Sequence, residues 1–344
     1  METSNHEKKV AVAMSGGVDS SVAAYLLKKQ GYDVAGFFMR NWSPLDTIEN
    51  VCPWQKDYED VRKVCRRLGI PHGTFNFEEE YKKTVLDNFL AEYQAGRTPN
   101  PDVLCNKQIK FDAFARKAFS LGFDYIATGH YAKLEDGRLL RPKDSNKDQT
   151  YFLCRLTSDQ LRRVIFPLQD LTKAEVRDLA IKAELPNARK KDSQGICFIG
   201  KISVREFLKS NLKLTPGQVV TSDGKVLGSH EGAELYTIGQ RHIGVSTQGE
   251  PLYVTSKNAN TIVMDREENL YKKEVTFSEA NWMMDLPKEF NCDVQLRYRT
   301  KPLQAHVDKT GKVTFSAQEA RAVTPGQYIA FFKSGALIGS AKII

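Results

Sequence analysis

Short apolar runs alternate with amphipathic stretches through the first half of the chain. Residues 9–14, 33–39, 72–77 and 124–129 read as buried strands, and the stretches between them, 20–30, 56–68, 78–95 and 106–121, carry apolar residues at helical spacing. Gly31, Gly69, Gly96 and Gly122 stand where those helices would stop. Such βα repetition predicts an α/β fold, a doubly wound parallel sheet with helices on both faces. Two more helices open with capping boxes, Thr172 to Glu175 and Ser203 to Glu206. In the helix 56–68 the stripe Tyr58, Val61, Val64, Cys65, Leu68 places Cys65 in the core.

Beyond about residue 213 helical spacing gives way to short strands with turn signals: TPGQVV, SDGKVLG, QGEPLYV, NTIVMD, CDVQLRYR, KTGKVTF, TPGQYIAFF and GALIGSAKII. The expectation is an α/β domain over 1–212, then two small mainly-β modules over 213–265 and 266–344, the last a β-barrel. The tetrapeptide TPGQ occurs at 215–218 and at 324–327, and Pro then Gly at the centre of a type II turn accounts for both copies without a repeat. In DVQLRYRT, strand alternation puts Val294, Leu296 and Tyr298 on one face and Gln295, Arg297 and Arg299 on the other. The second face is expected to grip phosphate.

Composition narrows the classes. The chain has 344 residues, 41% of them hydrophobic, so it can bury full cores. Its 50 Lys and Arg against 42 Asp and Glu leave a net charge of +8, which favours a polyanionic partner. No apolar run is long enough for a membrane span, and METSNHEKK lacks the features of a signal or transit peptide, so a cytoplasmic protein is expected. Six cysteines, Cys52, Cys65, Cys105, Cys154, Cys197 and Cys292, form no CxxC and no zinc spacing. In a reducing compartment they are mostly free thiols.

The chemistry sits where strands end. In parallel sheets ligands bind outside the carboxyl ends of the strands, which singles out AMSGGVDSS at 13–21, Met39 to Trp42, Thr128 to Tyr131, and the turn-rich RTPNPDVLCNK at 97–107. Gly16 and Gly17 let backbone approach a pyrophosphate, Ser15, Ser20 and Ser21 offer hydroxyls, and Asp19 can hold Mg²⁺. The Walker pattern GxxxxGK[ST] and the dinucleotide fingerprint GxGxxG are both absent, and the loop contains no lysine. Cys105 sits near the start of the predicted helix 106–121 with Lys107 and Lys110 close in sequence, a setting that favours a thiolate. Cys197, in KKDSQGICFIG behind Lys190 and Lys191, has a similar basic setting.

The loop resembles the PP-loop, SGGxDS, of adenosine-α-hydrolase-like enzymes, which cleave ATP between the α and β phosphates and transfer AMP to an oxygen. Along nearly its whole length the chain resembles the tRNA-specific 2-thiouridylase family, through AMSGGVDSS, FFMRNW, GRTPNPDVLCNKQIKF, DYIATGHY, SNKDQTYFL, KKDSQGICFIG, YTIGQRHIG and AVTPGQ. The resemblance implies ATP binding by Ala13, Met14, Ser15, Gly16, Gly17, Val18, Asp19, Ser20, Met39 and Gly129, and contact with the target base by Asn100, Pro101 and Asp102. It implies tRNA contacts at His130, Lys147, Asp148, Gln149, Arg297, Tyr298 and Gln327, a persulfide on Cys197 with Cys105 as its catalytic partner, and a persulfide sulfur donor as a further partner. The base would be flipped out to reach the crevice. The stretch VSTQGEPLYV after YTIGQRHIG is shorter than in many members, so no contact is carried over there, and Cys52 and Cys154 receive no role. Two other readings compete: a PP-loop ligase or amidotransferase acting on a non-RNA substrate, which would need an amino-acid site or ammonia source not visible here, and a non-catalytic RNA-binding module.

Overall fold

The computed structural model describes residues 5–42, 53–191, 203–247 and 249–344. The chain divides into two compact units, one built from 1–85, 102–200 and 335–337, the other from 86–101, 201–334 and 338–344.

The first unit is the doubly wound α/β domain. Strands β1 (Lys9–Met14), β2 (Asp33–Arg40), β3 (His72–Asn76), β4 (Tyr125–Thr128) and β5 (Val164–Ile165) form one sheet in the order β3-β2-β1-β4-β5, every pair parallel. The chain moves outward from β1 through β2 to β3 and then returns to the other side of β1, so the winding reverses between β1 and β4. The four expected strands form within a residue or two of their predicted limits; β5, only two residues long, gave too short a pattern to be read. The helix Val18–Lys29 packs its buried Val22, Ala23 and Leu27 on the sheet, in one cluster with Val10, Val12, Val64 and Cys65. Cys65 is fully buried with its Sγ 3.5 Å from Met14 Sδ, and burial pushes its thiol up to about 11, so core packing is its role.

Two predicted helices are composite. The stretch 78–95 is α-helical over Glu78–Tyr81 and Asp87–Gln94 with a π-helix, Lys82–Leu86, between them. The second starts earlier than expected, running as an α-helix over Pro101–Cys105, a π-helix over Asn106–Ala113 and an α-helix over Phe114–Ser120. A physical cause is visible for the second: Gln160 Nε2 donates to the carbonyls of Lys107 (2.9 Å) and Phe111 (3.2 Å), and a side chain entering the ladder widens it. A hairpin of Lys133–Glu135 and Arg138–Leu140 was also not anticipated. Its Asp136-Gly137 turn, with φ of 50° and 72°, is a sequence signal that could have found it.

The second unit is mainly β. Strands β6 (Gly217–Thr221), β7 (Val226–His230), β8 (Tyr253–Lys257) and β9 (Thr261–Asp265) form a sheet in the order β8-β9-β6-β7. Six further strands, β10 (Glu274–Trp282), β11 (Glu289–Gln295), β12 (Leu303–Asp308), β13 (Lys312–Phe315), β14 (Tyr328–Lys333) and β15 (Ala336–Ile343), follow in the order β10-β13-β12-β11-β14-β15. Pairing of Phe277 with Ile343 and of Trp282 with Gly339 joins β10 back to β15 and closes a barrel. Phe277, Val294, Val307, Val313, Ile329 and Phe331 fill it. Strands β10 and β12 were not anticipated, although Val275 with Phe277 and Ala305 with Val307 carry the alternation that marks them.

Two expectations fail here. At 215–218 no type II turn forms: Gly217 opens β6, and a Cβ there would lie 2.0 Å from Asn260 O, so close backbone approach explains this glycine. Only the copy at 324–327 turns, with Gly326 at φ +92° and Gln327 N–H donating to Thr324 O at 3.2 Å. The alternation in DVQLRYRT also breaks, because β11 ends at Gln295, Gln295 is buried, and Arg299 takes a left-handed φ of 64°. Residues 295, 297 and 299 therefore do not share a strand face.

Candidate functional site

At the carboxyl end of β1 the chain turns through Ser15, Gly16 and Gly17 into the helix Val18–Lys29, whose N-terminus has no side-chain cap. Its first N–H groups and dipole face the loop, as an anion site requires. Gly16 takes φ +74°, and a Cβ on it would lie 2.4 Å from Asp57 O. From the neighbouring strand, Gly129 passes so close that a Cβ would meet Ser20 N at 2.6 Å and Asp19 C at 2.8 Å. No larger residue fits there. Met39, half-buried at the end of β2, and Gly129, just after β4, flank the loop at the point where the winding reverses, the position expected for a ligand. Ala13, Met14 and Val18 have buried side chains, so a ligand meets them through backbone.

The hydroxyls divide between holding and offering. Ser20 Oγ accepts from Ser15 N–H at 3.2 Å and donates to Gly17 O at 3.2 Å, while Ser21 Oγ donates to Gly17 O at 2.9 Å and accepts from Asn187 Nδ2 at 2.9 Å. Ser21 is fully buried and holds the loop shut rather than reaching outward, contrary to the sequence reading; Ser15 is exposed.

The loop's missing lysine is supplied by the fold. Lys173 Nζ lies 2.7 and 2.9 Å from the two carboxylate oxygens of Asp19, across 154 residues of sequence, and Tyr131 Oη donates to the same carboxylate at 3.0 Å. A second lysine, Lys190, donates to Gly16 O at 3.1 Å, Asp57 Oδ1 at 2.7 Å and Asp60 Oδ2 at 2.6 Å. Neither contact is local, so no sequence spacing announces it. Asp19, proposed from sequence as a Mg²⁺ ligand, is thus engaged by a cation of the protein. Among the described residues no group of three His, Cys, Asp or Glu side chains forms a metal cluster.

Elsewhere in the first unit, Cys105 is buried at the junction of the α and π segments, five residues into its helix. It lies past the first turn, where the dipole's field is weak. π-Helical insertions are frequent at functional sites. Lys110 acts on two of the implied residues at once: burial pushes Asp102 up while Lys110 opposes it, and burial followed by the Lys110 charge holds His130 well below its ordinary value. His130 is therefore neutral at pH 7, with Nδ1 2.7 Å from Thr128 Oγ1 and its ring against Phe111 and Phe166. Asp148 is paired with Arg141, and its Oδ1 accepts from Thr150 N–H at 2.9 Å. Gln149 exchanges two hydrogen bonds of 2.9 Å with the Tyr131 backbone. Gln149 thus ties down the Tyr131 backbone while Asp148 holds Arg141 and Thr150, and Lys147 is half-buried beside them.

In the second unit the segment 97–100 is seated on the turn 324–327. Thr98 N–H donates to Pro325 O at 2.9 Å, and Gln327 Nε2 donates to Thr98 O at 2.8 Å and Pro99 O at 3.2 Å. Asn100 Nδ2 reaches Gln327 Oε1 at 3.5 Å. Beneath them Glu92, 7% exposed, takes both fork bonds of Arg97 (2.8 and 2.7 Å) and a bond from Lys342 (3.0 Å). These bonds place the helix Asp87–Gln94 with the barrel rather than with the sheet that precedes it in sequence. Arg297 folds inward onto Ile238 O (3.2 Å) and Thr324 Oγ1, and Tyr298 is half-exposed with the Arg299 guanidinium 5.1 Å over its ring. Cys292, inside the barrel, is pushed up to about 12 by burial, and Cys154 is fully buried. Cys52 and Cys197 lie outside the described residues.

A parallel sheet with a glycine–serine loop at its switch point, followed by a closed barrel, defines a PP-loop α/β enzyme with appended β domains. Family models cover almost all of it: a tRNA methyl transferase HUP domain over 8–201, a tRNA methyl transferase PRC-barrel domain over 205–264 and an aminomethyltransferase beta-barrel domain over 272–343. The tRNA-specific 2-thiouridylase MnmA of Geobacillus thermodenitrificans is 49% identical over 100% of this chain and 96% of its own, and that of Bacillus subtilis is 48% identical over 100% and 96%. The chain belongs to the tRNA-specific 2-thiouridylase family. A solved 4-thiouridine synthetase–RNA complex with bound ATP is far more distant, with a TM-score of 0.35 and 20% identity over 55% of this chain and 44% of that one.

Proposed function

We propose that this protein is an ATP-dependent tRNA sulfurtransferase that converts the wobble uridine to 2-thiouridine. The observation that carries the reading is the match, along the whole chain, to relatives named for this activity. The loop at 15–17 supports it, since glycine backbone, a helix N-terminus and the ammonium of Lys173 delivered beside them suit a pyrophosphate. The uracil O2 attacks the α-phosphorus of ATP, the α–β bridge breaks, and pyrophosphate leaves. Adenylation turns a poor leaving oxygen into AMP. The terminal sulfur of a Cys197 persulfide attacks C2 and AMP departs; Cys105 attacks the inner sulfur, leaving sulfur on the base and a Cys105–Cys197 disulfide for a reductant to reopen.

Asn100, Pro101 and Asp102 hold the target base, and the raised Asp102 carboxyl is suited to hydrogen bonding with it. Mg²⁺ bound with the triphosphate would take Asp19 as protein ligand and phosphate oxygens for the rest, offsetting charge on the leaving pyrophosphate. His130, Lys147, Asp148, Gln149, Arg297, Tyr298 and Gln327 are assigned to tRNA recognition, several by shaping the surface rather than by touching RNA. The sulfur donor is a cysteine desulfurase or a sulfur-relay protein. The setting is the cytoplasm, and among the described residues no helix is long and apolar enough to cross a membrane.

The test incubates the protein with unmodified tRNA, Mg-ATP and a persulfide donor, followed by nucleoside mass spectrometry. 2-Thiouridine is expected with wild type and absent with Cys197→Ala, which still adenylates the base and releases pyrophosphate on adding tRNA, while AMP stays on O2 without the sulfur that displaces it. Full thiolation by Cys197→Ala would overturn the mechanism, and AMP release without tRNA would favour a ligase acting on another substrate.

A further inference from the structure

We propose that Lys173 is the pyrophosphate-gripping cation of the nucleotide loop, held on Asp19 until the nucleotide arrives. The inference rests on the ATP reading above and adds to it a residue that the loop motif does not contain.

Lys173 is the first residue of the helix Lys173–Lys182, and its main chain is fixed. Thr172 caps the helix through a complete capping box with Glu175, and the Lys173 N–H donates to Asp144 Oδ2 at 2.8 Å. Val176 and Ala180 of this helix are buried in the same cluster as Val18, Val22 and Leu27 of the helix that follows the loop. The base of the side chain cannot drift, while its four-carbon stem can swing the ammonium through several ångströms. The ammonium sits at the mouth of the loop, with both Asp19 oxygens within 2.9 Å.

Lys190 shows why the role falls to Lys173. Its bonds to Asp57, Asp60 and Gly16 O use three N–H donors on two carboxylates and a loop carbonyl, the full capacity of an ammonium. Asn187 bonds the same Gly16 carbonyl at 3.0 Å, so Lys190 and Asn187 together fix the loop's shape. Lys173 is instead paired with a carboxylate of the loop itself, Asp19, which Tyr131 Oη also holds at 3.0 Å. A polyphosphate carries several times the charge of that carboxylate. On its arrival Lys173 transfers to the β and γ phosphates and stays protonated, Asp19 remains on Tyr131, and the ammonium offsets charge building on pyrophosphate as the α–β bond breaks.

Calorimetric titration of the full-length protein with ATP, inorganic pyrophosphate and AMP separates this role from a structural one. For Lys173→Met, affinity for ATP and pyrophosphate is expected to fall roughly 10- to 100-fold, the scale of a lost charge-assisted bond, with AMP within about twofold. Lys173→Arg should recover most of the loss. An equal loss for all three ligands would mark Lys173 as a structural clamp and overturn the proposal, as would unchanged pyrophosphate affinity in Lys173→Met. Wild-type protein that binds neither ATP nor AMP would remove the nucleotide reading itself, and this inference with it.

Discussion

The nucleotide loop and the segment 97–100 are both held by side chains from distant sequence, but with different bonds. Around the loop the partners are ammonium groups on Asp19, Asp57 and Asp60, with the Asp19–Lys173 pair one-third exposed on its acidic side. Such a pair can exchange one anion for another at small cost. Around 97–100 the partners are the Gln327 amide on main-chain carbonyls and a Glu92–Arg97–Lys342 cluster, of which Glu92 is buried. Neutral amide bonds and a buried cluster have no better partner waiting in solution. One region is built to let a charged ligand in, the other to keep a recognition segment still.

The largest effects should come from glycines that admit no side chain, and they should separate the two regions. Gly129→Ala drives a Cβ against Ser20 N and Asp19 C, both backbone, so the loop must move. A displacement near 1 Å at a reaction centre costs about 100-fold, and tRNA-dependent AMP release should fall by at least that much. Gly326→Ala places a methyl 3.0 Å from Thr98 N at a φ of +92°, which strains the turn by about 1–3 kcal/mol. Thiolation should drop while ATP affinity, measured by titration, stays at the wild-type value. Loss of ATP affinity in the Gly326 variant would merge the two regions.

Next in size is Lys342→Met, which leaves the buried Glu92 with Arg97 alone. Breaking one arm of a buried ionic cluster while the other persists should cost about 2 kcal/mol, below the range for an orphaned buried charge. Urea unfolding followed through Trp282, which stacks on Phe331 in the barrel with ring centroids 5.1 Å apart, would read it in a background where Trp42 and Trp54 are replaced. Gln327→Ala follows, losing two bonds to carbonyls and one to Asn100 at about 1 kcal/mol or less each. The expectation is a fall of about tenfold in kcat/KM for tRNA with no change in the salt dependence of tRNA binding. Replacing a residue on a phosphate would instead lower that slope by about one.

The same contrast explains what could be read from sequence. β1, the loop and its helix are consecutive, so glycines, hydroxyls and the change of period stand together and the site is legible. Lys173 and Lys190 reach the loop only because their segment folds back across it, and the π-helix after Cys105 depends on Gln160, far along the chain. TPGQ makes the point with identical letters: at 324–327 it turns and seats Thr98, whereas at 215–218 neighbouring strands draw it into β6. Arg297 reads as an outward strand residue until Ile238 and Thr324 capture its guanidinium.

The smallest expected effect is in pH. His130 in the first unit and Glu92 in the second both lose stability as pH falls, over different windows. Burial, helped by Lys110, holds His130 well below its ordinary 6.5, so above that value neither state is charged; below it the unfolded chain takes the proton first, and stability declines as pH falls. Glu92 is lowered from 4.5, first by its bond to Arg97, so its contribution is complete above 4.5 and is lost only as pH falls beneath that value toward the folded-state pKa. Urea midpoints taken from pH 8 to pH 4 should therefore show first-unit stability sloping down from about pH 6.5, with a shallower slope in His130→Asn. Barrel stability read at Trp282 should stay level across the same range until about pH 4.5. A barrel midpoint that tracked His130, or a first-unit midpoint indifferent to its removal, would mean that protonation in one unit is felt as strongly in the other.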